Sequence, residues 1–151
     1  MVAQESFINK ELMRAVGVES ESRTHDVEGG AIVRFAEAIE DPNPLYMDEL
    51  KARRSRYGGV IAPPTFLRSM RPGPWRVEIK NPFQRNLDGG SEWEFFEPIR
   101  PGDRITVTIK LTDVVQRKGH LGPMVFMILE TSYANQLGQM VAIQRSTSIS
   151  Y

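Results

Sequence analysis

Apolar residues in the first half of the chain recur at the spacing of an amphipathic helix. Four of them fall at i, i+3, i+4 and i+7 and so share one helical face: Ile32, Phe35, Ala36 and Ile39. We expect this helix to end before Pro42 and Pro44, because proline lacks an amide hydrogen and restricts the residue before it. A shorter helix is predicted at 7–16, a strand or extended segment at 19–27, and a second short helix after Asp48, which can cap it.

In the second half of the chain the period changes to two, which is the spacing of half-buried strands. Four strands are predicted there, at residues 92–96, 105–111, 124–133 and 141–149. Residues 71–90 are rich in Pro, Gly, Asn and Asp, and we expect them to form a long irregular connection. Helices followed by an antiparallel meander indicate an α+β fold.

The composition is that of an ordinary globular protein. The chain has 151 residues, 40% apolar and 25% charged, which favours a single domain spanning residues 1–151. Its 19 basic and 19 acidic side chains give a formal charge of zero. There is thus no electrostatic basis for a nucleic-acid or membrane partner, and we expect neither.

Several kinds of chemistry are excluded by residues that the sequence lacks. Cysteine is absent, which rules out disulfides, thiolate catalysis and zinc–thiolate sites. His25 and His120 do not form a metal-binding motif and are interpreted as solvated, so no metal site is predicted. The first residues do not resemble a signal peptide, and no apolar run approaches the roughly 20 residues that span a bilayer. We expect a soluble, cytoplasmic protein.

Candidate chemistry is concentrated in the run Asp41-Pro42-Asn43-Pro44-Leu45-Tyr46. Asp41 follows the predicted helix and could act as a base or orient a water molecule, and Asn43 could hydrogen-bond to either. Tyr46 could donate a hydrogen bond, but a phenol with an ordinary pKa of about 10 is a poor base at neutral pH. The alternative is that Asp41 and Asn43 only cap a turn, as Asp and Asn commonly do.

This run closely resembles the D-x-N-P-(L/I/V)-H signature of the MaoC-like (R)-specific enoyl-CoA hydratases and dehydratases. The similarity extends through FAEAIEDPNPLYMDELKA and YGGVIAPPTF to EPIRPGD and the segment GPMVFMILETSYANQLGQMVA. It implies a single hot-dog domain, in which a curved antiparallel sheet wraps around one central helix, here the predicted helix of Ile32 to Ile39. It also implies a CoA thioester as substrate, with no further cofactor.

The sequence departs from that family at two places. Tyr46 stands where the signature has histidine, which works with the aspartate to activate water. Pro63 and Pro64 occupy the region whose backbone N–H helps hold the thioester oxygen, and proline has no N–H. The chain resembles the N-terminal-half type of MaoC-like domain, which often lacks the histidine and pairs with a complete domain. The resemblance therefore implies a subunit of an enoyl-CoA hydratase or 3-hydroxyacyl-CoA dehydratase whose partner chain has an intact Asp/His pair.

Other candidate residues could line the substrate site. Arg53, Arg54 and Arg56 form a basic run that could contact CoA phosphates or could simply be a solvated face. Pro63 and Pro64 could shape an acyl pocket. Asp88-Gly89 could bring a carboxylate to that pocket, although a plain turn is the competing interpretation.

Two other functions remain open from the sequence. The chain could be a self-sufficient hydratase that uses Asp41, Asn43 and Tyr46, or a non-catalytic acyl-CoA binding module, because hot-dog folds host unrelated functions. A hot-dog thioesterase is a further possibility. In each case we expect a homodimer or a hetero-oligomer with a second MaoC-like chain, since hot-dog domains place the ligand tunnel between two protomers.

Overall fold

The computed structural model describes residues 6–120 and 122–151. Its helical segments are α1 (Lys10–Ala15), α2 (Gly29–Ala38), α3 (Pro44–Met47), α4 (Glu49–Arg53) and a 3-10 helix at Pro64–Ser69. Its strands are β1 (Arg23–Asp26), β2 (Asn86–Phe95), β3 (Arg104–Gly119), β4 (Gly122–Ala134) and β5 (Met140–Ser150). These elements confirm the predicted α+β order of helices followed by a meander.

The five strands form one antiparallel sheet in the order β1-β3-β4-β5-β2. The strands β3, β4 and β5 are consecutive hairpins, as the period-two pattern predicted. Strand β3 is longer than predicted, because it continues through a β-bulge between Leu111 and Asp113 that reverses which side chains face inward. Strand β1 adds to one side of this meander through β3, and β2 adds to the other through β5.

One face of the sheet wraps around α2, which confirms the hot-dog fold with its central helix. Ile32 and Ala36 are fully buried against the inward residues Ile105 and Val107. Ile39 was predicted on the same helical face but is 44% exposed. It lies one residue beyond the last turn of α2, where the chain is already leaving the sheet.

The same face of the sheet continues beyond α2 and is covered there by α1. Leu12 packs against Leu111 and Val125 in a second apolar cluster. Side chains of the connection before β2 close this cluster, and they include Trp75, Val77, Ile79 and Phe83. The connection is therefore irregular, as predicted, but it contributes to the core.

Strand β2 corrects the prediction for the end of that connection. It begins at Asn86, so the last five residues of the predicted irregular stretch belong to the sheet. Asp88 and Gly89 lie within the strand, at a bulge between Asp88 and Ser91, and do not form a turn before it. Among the described residues β2 pairs only with β5. Its outer edge is open, and nearly all of its side chains are exposed.

Candidate functional site

The C-terminal end of α2 fixes the backbone of the candidate motif. The amide of Glu40 donates to the carbonyl of Glu37 at 3.1 Å, and the amide of Asp41 donates to the carbonyl of Ala36 at 2.9 Å. Glu40 has a φ of 56°, the left-handed conformation that such a helix terminus requires and that usually falls to glycine. The chain thus turns sharply off the helix and presents Asp41 directly after it.

Both polar side chains of the motif hold local backbone structure. An Asp41 carboxylate oxygen accepts a hydrogen bond from the amide of Asn43 at 3.1 Å. The Asn43 side-chain oxygen accepts from the amide of Leu45 at 3.0 Å and caps α3. A cap of this kind contributes about 1 kcal/mol. Pro44 is the first residue of α3, a position that suits its fixed φ and missing N–H.

Tyr46 lies in α3 and is only 8% exposed. Burial raises the pKa of its phenol above the ordinary value, and the nearby Asp41 carboxylate and Tyr57 phenol raise this pKa further. The phenol therefore stays protonated at neutral pH and can donate a proton in a hydrogen bond, but it cannot act as a base. This differs from imidazole, whose ordinary pKa of about 6.5 allows both roles near neutral pH.

The segment before the 3-10 helix has no spare amide donor. The amide of Ile61 donates to the carbonyl of Leu45 at 3.1 Å, and that of Ala62 donates to the carbonyl of Ile99 at 2.8 Å. The two residues that follow are Pro63 and Pro64, which carry no N–H. These four positions fix the path of the chain beside α3, and none of them can stabilise an oxyanion.

An apolar groove of about 370 Å³ lies beside this segment. Its walls include Tyr57, Pro64, Phe95 and Phe96, and Arg56 stands at its polar side. The Arg56 guanidinium donates to the Tyr57 hydroxyl at 2.7 Å and lies 4.8 Å from the centre of that ring. Because Tyr57 also influences the pKa of Tyr46, the groove lies close to the motif. The groove is mostly apolar, with one cation, Arg56, and one carboxylate, Glu97, and its apolar lining suits an acyl chain.

The three arginines predicted for CoA do not act together. Arg56 lines the groove, whereas Arg53 forms an ion pair with Glu49 at 2.8 Å on the exposed surface of α4. Arg54 is exposed and is not among the residues that line the groove beside Tyr57. Only Arg56 is therefore placed beside a candidate ligand site.

Asp88 lies apart from Asp41, in a different hollow. A polar hollow of about 280 Å³ is formed on the inward face of the sheet by Arg68, Asp88 and residues of β5. Asp41 instead lines a shallow apolar depression with Pro42 and Met47. Gly89 packs against Thr147 and Ile149, where an added Cβ would lie 3.1 Å from both side chains. Its role in the structure is therefore close packing between β2 and β5.

Sequence reasoning missed Arg68 and Tyr57 as candidate site residues. The spacing of the sequence does not single out Arg68, and the 3-10 helix places it in the polar hollow beside β5. A signal was present in the inward positions of β5, which change from apolar to polar along the strand.

Among the described residues there is also no cluster of three or more His, Asp or Glu side chains that could hold a metal ion. None of the helices formed by these residues has the length and apolar character needed to cross a bilayer.

Comparison with known proteins gives one family. The model of the FAS1-like dehydratase domain region matches residues 14–144. A UPF0336 protein of Thermobifida fusca is 34% identical over 115 residues, which cover 73% of each chain. A probable enoyl-CoA hydratase alpha subunit of Thermomonospora curvata is 29% identical over 132 residues, which cover 76% of this chain and 41% of that protein.

Solved structures give the same fold. The MaoC-like dehydratase from Rhodospirillum rubrum superposes with a TM-score of 0.72 at 26% identity, over 91% of this chain and 92% of that one. A chain of the ChsH1–ChsH2 complex from Mycobacterium tuberculosis superposes with a TM-score of 0.76 at 20% identity, over 88% of this chain and 84% of that one. The first is a dehydratase by name, and the second belongs to an assembly of two different chains.

Proposed function

This chain belongs to the FAS1-like dehydratase region family of MaoC-like hot-dog proteins, and we propose that it is one subunit of an enoyl-CoA hydratase or 3-hydroxyacyl-CoA dehydratase. Its partner is a second hot-dog chain with an intact Asp/His pair. The observation that carries this proposal is the buried, protonated Tyr46 at the position of the family's histidine.

Hydration of an α,β-unsaturated thioester requires three kinds of group. A base takes a proton from water, an acid protonates the α-carbon, and hydrogen-bond donors stabilise the enolate-like oxygen. In this chain Tyr46 is unsuited to the first task and the amides before Pro63 are already engaged. In this proposal the chain binds the substrate, and the partner supplies the base and the oxyanion donors.

The role that remains for this chain is to bind the acyl-CoA. The groove beside Tyr57 accommodates the apolar acyl chain, and Arg56 offers a cation to the phosphates of CoA. Pro63 and Pro64 hold the wall of this groove in place. The name of the Thermomonospora curvata relative, an alpha subunit, supports a division of labour between chains.

The open edge of β2 is the surface that we assign to the partner. A strand edge presents unpaired N–H and C=O groups, and a second sheet can add to it. Here the edge is flanked by Leu87, Phe95 and Phe96, which are 54%, 47% and 50% exposed. Large apolar side chains at an open edge favour a protein partner over solvent. A sheet that continues from this chain into a second hot-dog chain would pair the backbone groups of the edge and cover its apolar side chains.

Charge substitutions on β2 test this surface. We expect Leu87→Glu combined with Phe95→Glu to dissociate the purified pair of this chain and its MaoC-like partner, because two buried carboxylates would have to lose their hydration at the interface. Light scattering measures the particle mass. Leu50→Glu and Leu137→Glu, on residues that are 73% and 75% exposed away from β2, are the matched controls and should leave the mass unchanged. A double variant that assembles as the parent does would contradict the assignment of β2.

Reconstitution tests the function itself. The chain is purified alone and together with a MaoC-like chain that has an intact D-x-N-P-L-H signature, and hydration of trans-2-enoyl-CoA is followed for each. We expect no rate above background for the chain alone and an increase of about 10²-fold or more in the pair. Full activity of the chain alone would overturn the proposal. Binding of thioesters without turnover in the pair would make the chain a binding module.

A further inference from the structure

The inward face of β5 has a chemistry that packing does not explain. Inward positions of a sheet normally bury apolar side chains, and β4 does so with Val125, Met127 and Leu129. The residues that pair with these on β5 are Ser150, Ser148 and Ser146, followed by Gln144. On the inward face of the sheet, β4 thus presents apolar side chains and its neighbour β5 presents polar ones. The polar row of β5 forms the floor of the hollow described above.

The hollow is rich in hydrogen-bond donors. Arg68 lines it from the 3-10 helix and forms no ion pair with any residue of 6–120 or 122–151. The Tyr133 hydroxyl reaches the side-chain oxygen of Gln144 at 3.5 Å. Burial raises the pKa of Tyr133 to about 12, against the opposing effect of Arg68, so its hydroxyl remains a donor. Asp88, the acidic member, is exposed and already accepts from the amide of Gly90 at 2.8 Å.

One hydroxyl beside this row lacks a partner. The Ser150 side chain is fully buried, and its oxygen makes no hydrogen bond within the described chain. A buried hydroxyl without a partner is costly and is rare in native proteins. Ser150 pairs with Asn86 of β2, which also lines the hollow. This hydroxyl lies next to the hollow and does not itself line it.

The apolar groove and the polar hollow lie at successive positions along the same face of β2. The inward side of this strand passes from Phe95 in the groove through Trp93 to Ser91 and Asp88 in the hollow. Trp93 stacks on Phe95 with ring centres 5.5 Å apart and on Tyr133 at 5.7 Å. An elongated ligand along β2 would meet an aromatic surface first and then a group of donors.

We propose that the hollow around Arg68 receives an oxygen-bearing group, a ketone or a carboxylate, at the far end of the acyl chain of the substrate. This inference rests on the proposed function and narrows its substrate class from acyl thioesters to those with a polar terminus. Arg68, Ser146 and Ser148 donate to the terminal oxygen, and Trp93 and Phe95 contact the apolar carbons before it. A terminal methyl group would leave these donors without partners.

Binding of matched thioesters tests this inference. Dodecanoyl-CoA, the same thioester ending in a carboxylate, the same thioester ending in a methyl ketone, and CoA alone are titrated into the purified protein by calorimetry. These saturated thioesters cannot be hydrated, so the readout is affinity alone. We expect one or both oxygen-bearing thioesters to bind about tenfold more tightly than dodecanoyl-CoA, as a hydrogen bond to a charged group allows.

The variant Arg68→Met tests whether Arg68 causes the preference for oxygen-bearing thioesters. Arg68 is exposed, so the variant should fold, which thermal melting verifies. It should lose the tenfold preference and keep its affinity for dodecanoyl-CoA, whereas Arg71→Met, a nearby exposed arginine outside the hollow, should keep both. Equal affinity for all three thioesters, or a preference that survives in Arg68→Met, would overturn this inference and leave the proposed function standing. Thioesters that bind no better than CoA alone would overturn both.

Discussion

Replacing the signature histidine of the partner chain by alanine is expected to lower the hydration rate of the reconstituted pair by about 10³-fold, within the range that a general base contributes. Replacing Tyr46 of the present chain by phenylalanine should change kcat by less than about threefold, or well under 1.4 kcal/mol in barrier. The reason is that the Tyr46 phenol is buried with a raised pKa and so takes no proton from water at neutral pH.

Asp41 gives the decisive control in the same assay. Asp41→Asn keeps an oxygen that can accept from the amide of Asn43, so it removes the charge but preserves the turn. The proposal requires this variant to retain most of the activity of the pair. A loss as large as that caused by the partner's histidine substitution would instead make Asp41 the base and would favour the self-sufficient hydratase.

Shortening the side chain of Ile32 in the central helix should cause the largest loss of stability. Ile32 is fully buried between α2 and the inward residues of β3. Ile32→Ala is therefore expected to lower the free energy of unfolding by about 2–5 kcal/mol, through lost burial and the cavity that remains. Urea denaturation followed by circular dichroism measures this change.

Ile39→Ala is the matched control in the same segment. Ile39 shares the predicted helical face but is 44% exposed, so its truncation should cost less than about 1 kcal/mol. Similar losses for both variants would mean that residues 29–39 form a helix buried along its whole length, contrary to the structure.

These two isoleucines also show how far the hydrophobic pattern can predict the fold. Spacing identified α2 and its buried face because the period of a helix is fixed. It could not show that the helix ends at Ala38, since that depends on Glu40 adopting a left-handed conformation. The proline rule correctly predicted that α2 ends before Pro42. It did not show that Pro44 begins α3, where the first turn of a helix requires no amide donor.

The sheet was predictable where strands are neighbours in sequence and less so elsewhere. The hairpins of β3, β4 and β5 follow from local alternation. The start of β2 does not, because its side chains are mostly exposed and its glycines resemble those of a loop. Pairing with β5, a distant segment, makes residues 86–90 a strand. That the chain forms a single domain remains a prediction.

The sequence predicted which residue types form the candidate site but only partly how they are arranged in space. The motif predicts a group of polar site residues, and this remains a prediction. It could not show that the side-chain oxygens of Asp41 and Asn43 would accept hydrogen bonds from backbone amides, or that Asp88 would lie in a separate hollow. These hydrogen bonds and this position depend on which backbone groups lack a partner in the folded chain.

The order of strands in the sheet also sets a constraint on biosynthesis. Strand β2 is made before β3 and β4, yet its pairing partner β5 is the last strand to be synthesised. While the ribosome translates the intervening hairpin, β2 has no strand to join, and contacts between distant segments form slowly. Its outer edge becomes an ordered template only after residues 140–150 have emerged. Assembly through that edge would therefore follow the synthesis of β5.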